Sequence, residues 1–193
     1  MERALVAQGA SVVALSQDCY YKDQSHLSIE QRLAVNYDEP AAFDQDLFAL
    51  HLRALREGKA VAAPAFDYVG CVRAAETRTV GPAAVVLVDG LLLLHDPEVR
   101  ALFQLLVYVD APADVRLARR ISRDVAAGMR GEDVLAMYLR FVAPMHALHV
   151  EAHRHAAHLV VPNAGASIDP VVPRFIAAAL VSSSRSSSLK AKL

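Results

Sequence analysis

The chain has 193 residues, 54% of them hydrophobic and 21% charged, with a formal net charge of −1. That is enough apolar material for one α/β core; the balanced charge argues against nucleic acid as the main partner, and no apolar run reaches the roughly 18 residues of a membrane span. Two cysteines, Cys19 and Cys71, are too few for a disulfide framework, and MERALVAQ has no signal-peptide core, so a cytoplasmic setting is expected.

Met1 to Gln8 reads as the end of a helix closed by Gly9. Val12 to Leu15 is an apolar run stopped by Ser16-Gln17-Asp18, the pattern of a buried parallel strand whose carboxyl end opens into a crevice. Ligands sit at such ends in open α/β sheets. Asp18, followed by Tyr20, Tyr21 and Lys22, is therefore a candidate base, its plainer role being to cap the next turn. Ser28 to Gln31 resembles a capping box, and Pro40 disfavours helix just before it. Ala41 to Glu57 is expected to be an amphipathic helix with Phe43, Leu47, Leu50 and Leu55 inward. Ala60 to Arg78 lacks helical periodicity and suits short strands or a hairpin.

Val85 to Val88 is a second buried strand, ending in Asp89-Gly90, and Leu105 to Val109 a third, ending in Asp110. Asp96 to Phe103 can form a helix with Pro97 in its first turn. Ala113 to Ala126 is an arginine-rich helix, Gly128 and Gly131 mark a joint, and a longer helix follows from about Glu132 to His149. His146, His149 and His153 share nearly one helical face, a spacing more in keeping with surface histidines than with a metal site. Leu159 to Val161 is a last strand and Pro173 to Val181 a closing helix. The expected organisation is one domain over residues 1–181 and a disordered Ser-rich tail over 182–193. Alternating strands and helices imply a parallel sheet covered on both faces.

SQDCYYKD, NYDEPAAFDQDL, PAFDYVGCVR, VVLVDGLLLLHDPEVRALF, YVDAPADVRLARRISRDV and HLVVPNAG resemble, in order and spacing, the uridine kinase family of P-loop nucleoside kinases. The resemblance covers nearly the whole chain. It implies a cytoplasmic, often tetrameric enzyme of pyrimidine salvage that moves the γ-phosphoryl group of ATP or GTP, with Mg2+, to the 5′-hydroxyl of uridine or cytidine. Asp18 matches the family's base and Asp38 its ribose-binding carboxylate. Tyr21, Phe66 and Tyr68 match aromatic pocket walls, and Asp89 stands where the family has a Glu that acts on magnesium through water. Arg120 and Arg123 match cations that close over the phosphates, Arg130 a substrate-side arginine, and Asn163 to Gly165 the loop beside the adenine. Between Arg123 and Tyr138 the chain is one residue shorter than the family pattern.

Three departures accompany the match. The family's first strand and its G-x-x-x-x-G-K-[ST] phosphate loop should stand immediately before Arg3, yet the only glycine ahead of residue 58 is Gly9. Cys71 occupies the place of a His that hydrogen-bonds the pyrimidine, and Met137 that of a Gln. The fold expected is thus a P-loop-type α/β kinase, N-terminally truncated, with weak or no transfer by these residues alone, an unpaired edge or a gap within the sheet, low stability and a tendency to aggregate. Two readings stay open: a uridine or cytidine kinase whose sequence begins upstream of Met1, and a non-catalytic relative that binds a nucleoside or a partner. A sibling kinase of another hydroxyl, such as phosphoribulokinase, is a third, against which NYDEPAAFD argues.

Overall fold

The computed structural model describes residues 2–7 and 9–165; the expected closing helix and Ser-rich tail lie outside the described residues. These form two compact units, one from Glu2 to Phe103 and one from Gln104 onward. Among the described residues no helix is long and apolar enough to cross a membrane.

The first unit opens with α1 (Glu2–Val6) and β1 (Val12–Ser16). Gly9, at φ 84°, ends α1: the Ala10 amide donates to the Leu5 carbonyl and the Gly9 amide to that of Val6, satisfying carbonyls the helix leaves open. β1 runs parallel to β4 (Val85–Asp89), with Ser16 the register partner of Asp89. The poorly periodic stretch is an antiparallel hairpin, β2 (Val61–Asp67) and β3 (Val72–Val80), with a register shift between Pro64 and Phe66. Pro64 has no amide to give the ladder, and a bulge is where a strand tolerates that. α2 (Ile29–Leu33) starts at the expected capping box: Ser28 Oγ accepts from the Gln31 amide, and Gln31 Oε1 from that of Ser28.

The helix expected over Ala41 to Glu57 is shorter and turned differently. α3 spans Gln45–Arg56, capped by Asp44, whose carboxylate accepts from the Leu47 amide. Residues 40–42 form a 3-10 turn instead, and Phe43 pairs with Tyr21 in a β-bridge. Starting the helical count at Gln45 puts Phe48, Ala49, Leu52 and Leu55 inward and leaves Leu50 58% exposed. Those four pack with Leu15, Tyr20, Val61, Ala63, Val80 and Val99 of the short helix α4 (Pro97–Arg100) as the unit's core. Asp96 caps α4 through the Glu98 amide.

In the second unit β5 (Val107–Asp110) pairs in parallel with β6 (Leu159–Pro162). α5 covers Ala113–Ala126, as expected, and α6 spans Gly131–Met137. The chain continues past α6 as widened π turns over Tyr138–Val142 and His146–Val150, on either side of Pro144. Proline has no amide to donate and crowds the carbonyl one turn back, so the helix there cannot keep its regular ladder. His146, His149 and His153 are half-buried, which differs from the surface placement expected, and His158 Nδ1 accepts from the Leu106 amide. Burial lowers the pKa of His146, with Arg116 adding to the effect and Glu151 opposing it.

Candidate active site

β1 and β4 end side by side, and Ser16 Oγ donates to Asp89 Oδ1 at 2.9 Å across that pair. After Ser16 the backbone makes a 3-10 turn, Gln17–Tyr20. Its period of three sends Gln17 and Tyr20 into the interior and holds Asp18 half-buried at the strand end. Gln17 Oε1 accepts from the Leu92 amide at 2.9 Å, tying this turn to the segment after β4. Gly90 makes that approach possible: a Cβ there would stand 2.5 Å from Gln17 Cβ and Oε1.

Three carboxylates converge here. Burial pushes Asp18 above the ordinary carboxylate range, the Asp89 charge pushes it further and Asp38 adds to both, while a hydrogen bond from the Tyr68 hydroxyl pulls it back. Tyr68 is itself pushed up to about 12, by burial and then by the Asp18 charge. Asp38 is half-buried, and its amide donates to Asn36 Oδ1 at 3.2 Å.

Beside the carboxylates stands a box of rings. Tyr21 lies 5.1 Å from Tyr37, 4.4 Å from Phe43 and 5.0 Å from Phe66, and Phe66 lies 5.3 Å from Tyr68, centroid to centroid. Burial raises the Tyr21 phenol, with Asp18 and Asp38 the next contributors, so it stays a neutral hydrogen-bonding ring. The β2–β3 turn closes on this box through Tyr37, whose hydroxyl donates to the Cys71 carbonyl at 3.3 Å. Cys71 is at φ 47°, the left-handed region, which costs a residue with a Cβ about 1 kcal/mol.

Two arginines hold this arrangement by backbone carbonyls. Arg73 Nε and Nη2 donate to the Tyr21 carbonyl at 3.0 and 2.7 Å, and Nη1 meets Asp44 at 3.2 Å. Arg32 donates to the carbonyls of Gln24, Ser25, Leu27 and Gly70, joining the loop before α2 to the β2–β3 turn.

Of the residues singled out in the sequence, Asp18, Tyr21, Asp38, Phe66, Tyr68, Cys71 and Asp89 come together on the first unit. Sequence reasoning missed Tyr37, Phe43, Arg73, Arg32 and Gln17. Tyr37 and Phe43 lie inside the quoted NYDEPAAFD run, whereas the carbonyl contacts of Arg32 and Arg73 leave no signal in local sequence.

Arg120, Arg123, Arg130 and Asn163 lie on the second unit. Arg120 and Arg123 both pair with buried Asp124, at 3.4 and 2.7 Å, and the bond to Asp124 raises the Arg123 pKa. Arg130 pairs with Glu132. Arg119 donates to the carbonyls of Asn163 and Gly165 at 3.0 and 2.9 Å, fixing the loop after β6. Met137 ends α6, half-buried.

Chemically, the strand-end group offers a partly desolvated carboxylate as base, a second carboxylate held by a serine, and flat apolar walls. Ser16, Asp18 and Asp89 are hard oxygen donors. That set fits magnesium, which takes one or two carboxylates and fills its other positions with water and phosphate oxygens.

A family model described as "Phosphoribulokinase / Uridine kinase family" matches residues 2–167. The chain is 45% identical over 159 residues to a uridine kinase of Brevibacillus brevis, covering 82% of this chain and 74% of that protein. It is 42% identical over 152 residues to a uridine kinase of Shewanella amazonensis, covering 78% and 72%. Its fold is similar to that of a phosphoribulokinase from Rhodobacter spheroides, with a TM-score of 0.66 at 13% identity over 83% of this chain and 63% of that one.

Proposed function

Because the chain belongs to the phosphoribulokinase / uridine kinase family and is a kinase by that membership, we propose that it phosphorylates the 5′-hydroxyl of a pyrimidine ribonucleoside, uridine or cytidine, from ATP or GTP. The observation that carries the reading is Asp18, half-buried at the joint end of β1 and β4, with Asp89 beside it and an aromatic box adjoining. Such a reaction serves pyrimidine salvage in the cytoplasm.

In this mechanism the Asp18 carboxylate takes the proton of the 5′-hydroxyl as that oxygen bonds to the γ-phosphorus and the bond to the departing nucleoside diphosphate breaks. A pKa raised above the ordinary carboxylate range, by burial first and then by the Asp89 charge, makes the Asp18 carboxylate a stronger base than a solvated one. The Tyr68 hydroxyl orients that carboxylate and moderates its basicity. Asp38 accepts hydrogen bonds from ribose hydroxyls, which a deoxyribose cannot supply in full. Tyr21, Phe66 and Tyr68 stack on and enclose the base, excluding water. Magnesium, when bound near Ser16 and Asp89, would neutralise charge on the phosphates. The phosphate-side roles of Arg120 and Arg123, the substrate-side role of Arg130 and the adenine-side role of Asn163 are proposed on the motifs alone.

The 193 residues contain no G-x-x-x-x-G-K-[ST] run. Without that backbone cradle the triphosphate lacks its main anion site, and transfer by these residues alone is expected to be weak. The changes at Cys71 and Met137, which stand where the family pattern has a His and a Gln, favour a second reading, a relative that binds nucleoside without catalysis. The test is phosphate transfer to uridine and cytidine by this chain and by a version extended upstream to any in-frame glycine-rich loop. Turnover by the extended protein supports the kinase reading; nucleoside binding without turnover in either supports the second.

A further inference from the structure

Asp124 is buried near the end of α5 and holds two arginines of its own helix at once. Its Oδ1 accepts from Arg123 Nε at 2.7 Å, and its Oδ2 stands 3.4 Å from Arg120 Nε, a buried nitrogen that makes no hydrogen bond among the described residues. One carboxylate oxygen thus goes to each Nε. An arginine carries one N–H on Nε and four on its two Nη atoms, and the Nη pair is a fork that matches a carboxylate or a phosphate. Among the described residues the Nη atoms of Arg120 and Arg123 take no hydrogen-bond acceptor and no ion-pair partner. Other arginines of the unit differ. Arg119 gives both Nη atoms to the Asn163 and Gly165 carbonyls, Arg154 gives Nη2 to Asp110, and Arg130 gives Nη2 to Glu132.

Arg120, Arg123 and Asp124 stand at i, i+3 and i+4, neighbours on one helix face. A carboxylate that met both forks would cancel the two arginines as anion ligands. One that takes only the Nε edges fixes each guanidinium plane and leaves its fork open. Resting on the reading above that Arg120 and Arg123 meet phosphate, we propose that Asp124 is a positioning residue, which holds both guanidinium groups by their Nε edges so that two forks are presented to a phosphate chain already oriented. Long side chains lose rotamer freedom when they capture an anion, and a side chain that is held beforehand loses less. Coulomb's law works the other way, since an acid beside an anion site weakens it. The two effects have opposite signs, and a single substitution separates them.

The test is calorimetric titration of the full chain and of its Asp124→Asn variant with inorganic tripolyphosphate. The substitution keeps the side chain's size and one oxygen and removes its charge, and a thermal transition shows whether the variant is folded. Asp124→Asn is expected to bind about tenfold more weakly, although a negative charge has been taken away. Equal or tighter binding by folded Asp124→Asn overturns the inference. A parent chain that does not bind tripolyphosphate, or binds it no better than Arg120→Met and Arg123→Met do, overturns the phosphate reading of these arginines together with the inference and leaves the nucleoside reading standing. If Asp124→Asn does not fold, side-chain NMR of the parent chain decides. On saturation with tripolyphosphate the Arg123 Nε–H signal is expected to keep its hydrogen-bonded shift while the Nη signals of both arginines move. Loss of that Nε–H signal means that the arginine leaves Asp124 for the anion, which makes Asp124 a competitor and overturns the inference.

Discussion

Arg73→Met keeps most of the side-chain length and removes the guanidinium that holds the Tyr21 carbonyl. Two of its nitrogens reach that oxygen at 3.0 and 2.7 Å, and the side chain is only 20% exposed. The Tyr20 carbonyl still receives the Asp44 amide at 2.8 Å, so the loss falls on Tyr21. A hydrogen bond from a charged donor to a part-buried carbonyl is worth about 1.5–3 kcal/mol. The ion pair with Asp44, whose side chain is 33% exposed, adds no more than about 1 kcal/mol once solvent screening is allowed for. Arg73→Met is therefore expected to lower stability by about 2–4 kcal/mol, read as a lower urea midpoint at unchanged slope. Arg73→Lys, a point charge without the fork, should recover less than half of it. Uridine affinity should fall in parallel, because the Tyr21 ring loses its anchored backbone. A loss below about 0.5 kcal/mol would refute the reasoning, since the carbonyl would then be satisfied by water and Arg73 would hold nothing in place.

Gly90→Ala forces Gln17 from its bond to the Leu92 amide, and about 2 kcal/mol of destabilisation should appear in the same denaturation assay; a neutral result would mean the β4 end can shift aside. Tyr68→Phe removes the hydrogen bond that lowers the Asp18 pKa, so the acid limb of the kcat/KM profile of a catalytically competent, upstream-extended protein should move to higher pH, and an unmoved limb would count against Asp18 as the base. Asp18 has a folded pKa above its unfolded one, so its contribution to stability is complete below the ordinary carboxylate range and is lost as pH rises through the elevated value. Asp18→Asn should accordingly raise Tm at neutral pH and lose that gain by about pH 3, while abolishing transfer in the extended protein; a gain that persists on acidification would show that charge is not its origin.

Local chemistry was enough to place β1, β4, α5 and the α2 capping box, because each depends on an apolar run or a cap within a few residues of itself. The same locality made Asp18 and Asp89 conspicuous as strand-end carboxylates, and the quoted motifs carried the family. The helix over Ala41 to Glu57 went astray at its start, since Phe43 answers to Tyr21, more than twenty residues earlier, and that bridge delays the helix to Gln45 and turns Leu50 outward. Likewise nothing near Arg32, Arg73 or Tyr37 announces that their polar groups are spent on distant carbonyls. The sequence by itself determined which segments could be strands and helices and which residues could do chemistry, because periodicity and caps are short-range. Tertiary structure alone decided that Asp18, Asp38 and Asp89 share one field and that the rings of Tyr21, Tyr37, Phe43 and Phe66 meet as a box, because those are meetings between segments that packing, not local preference, brings together.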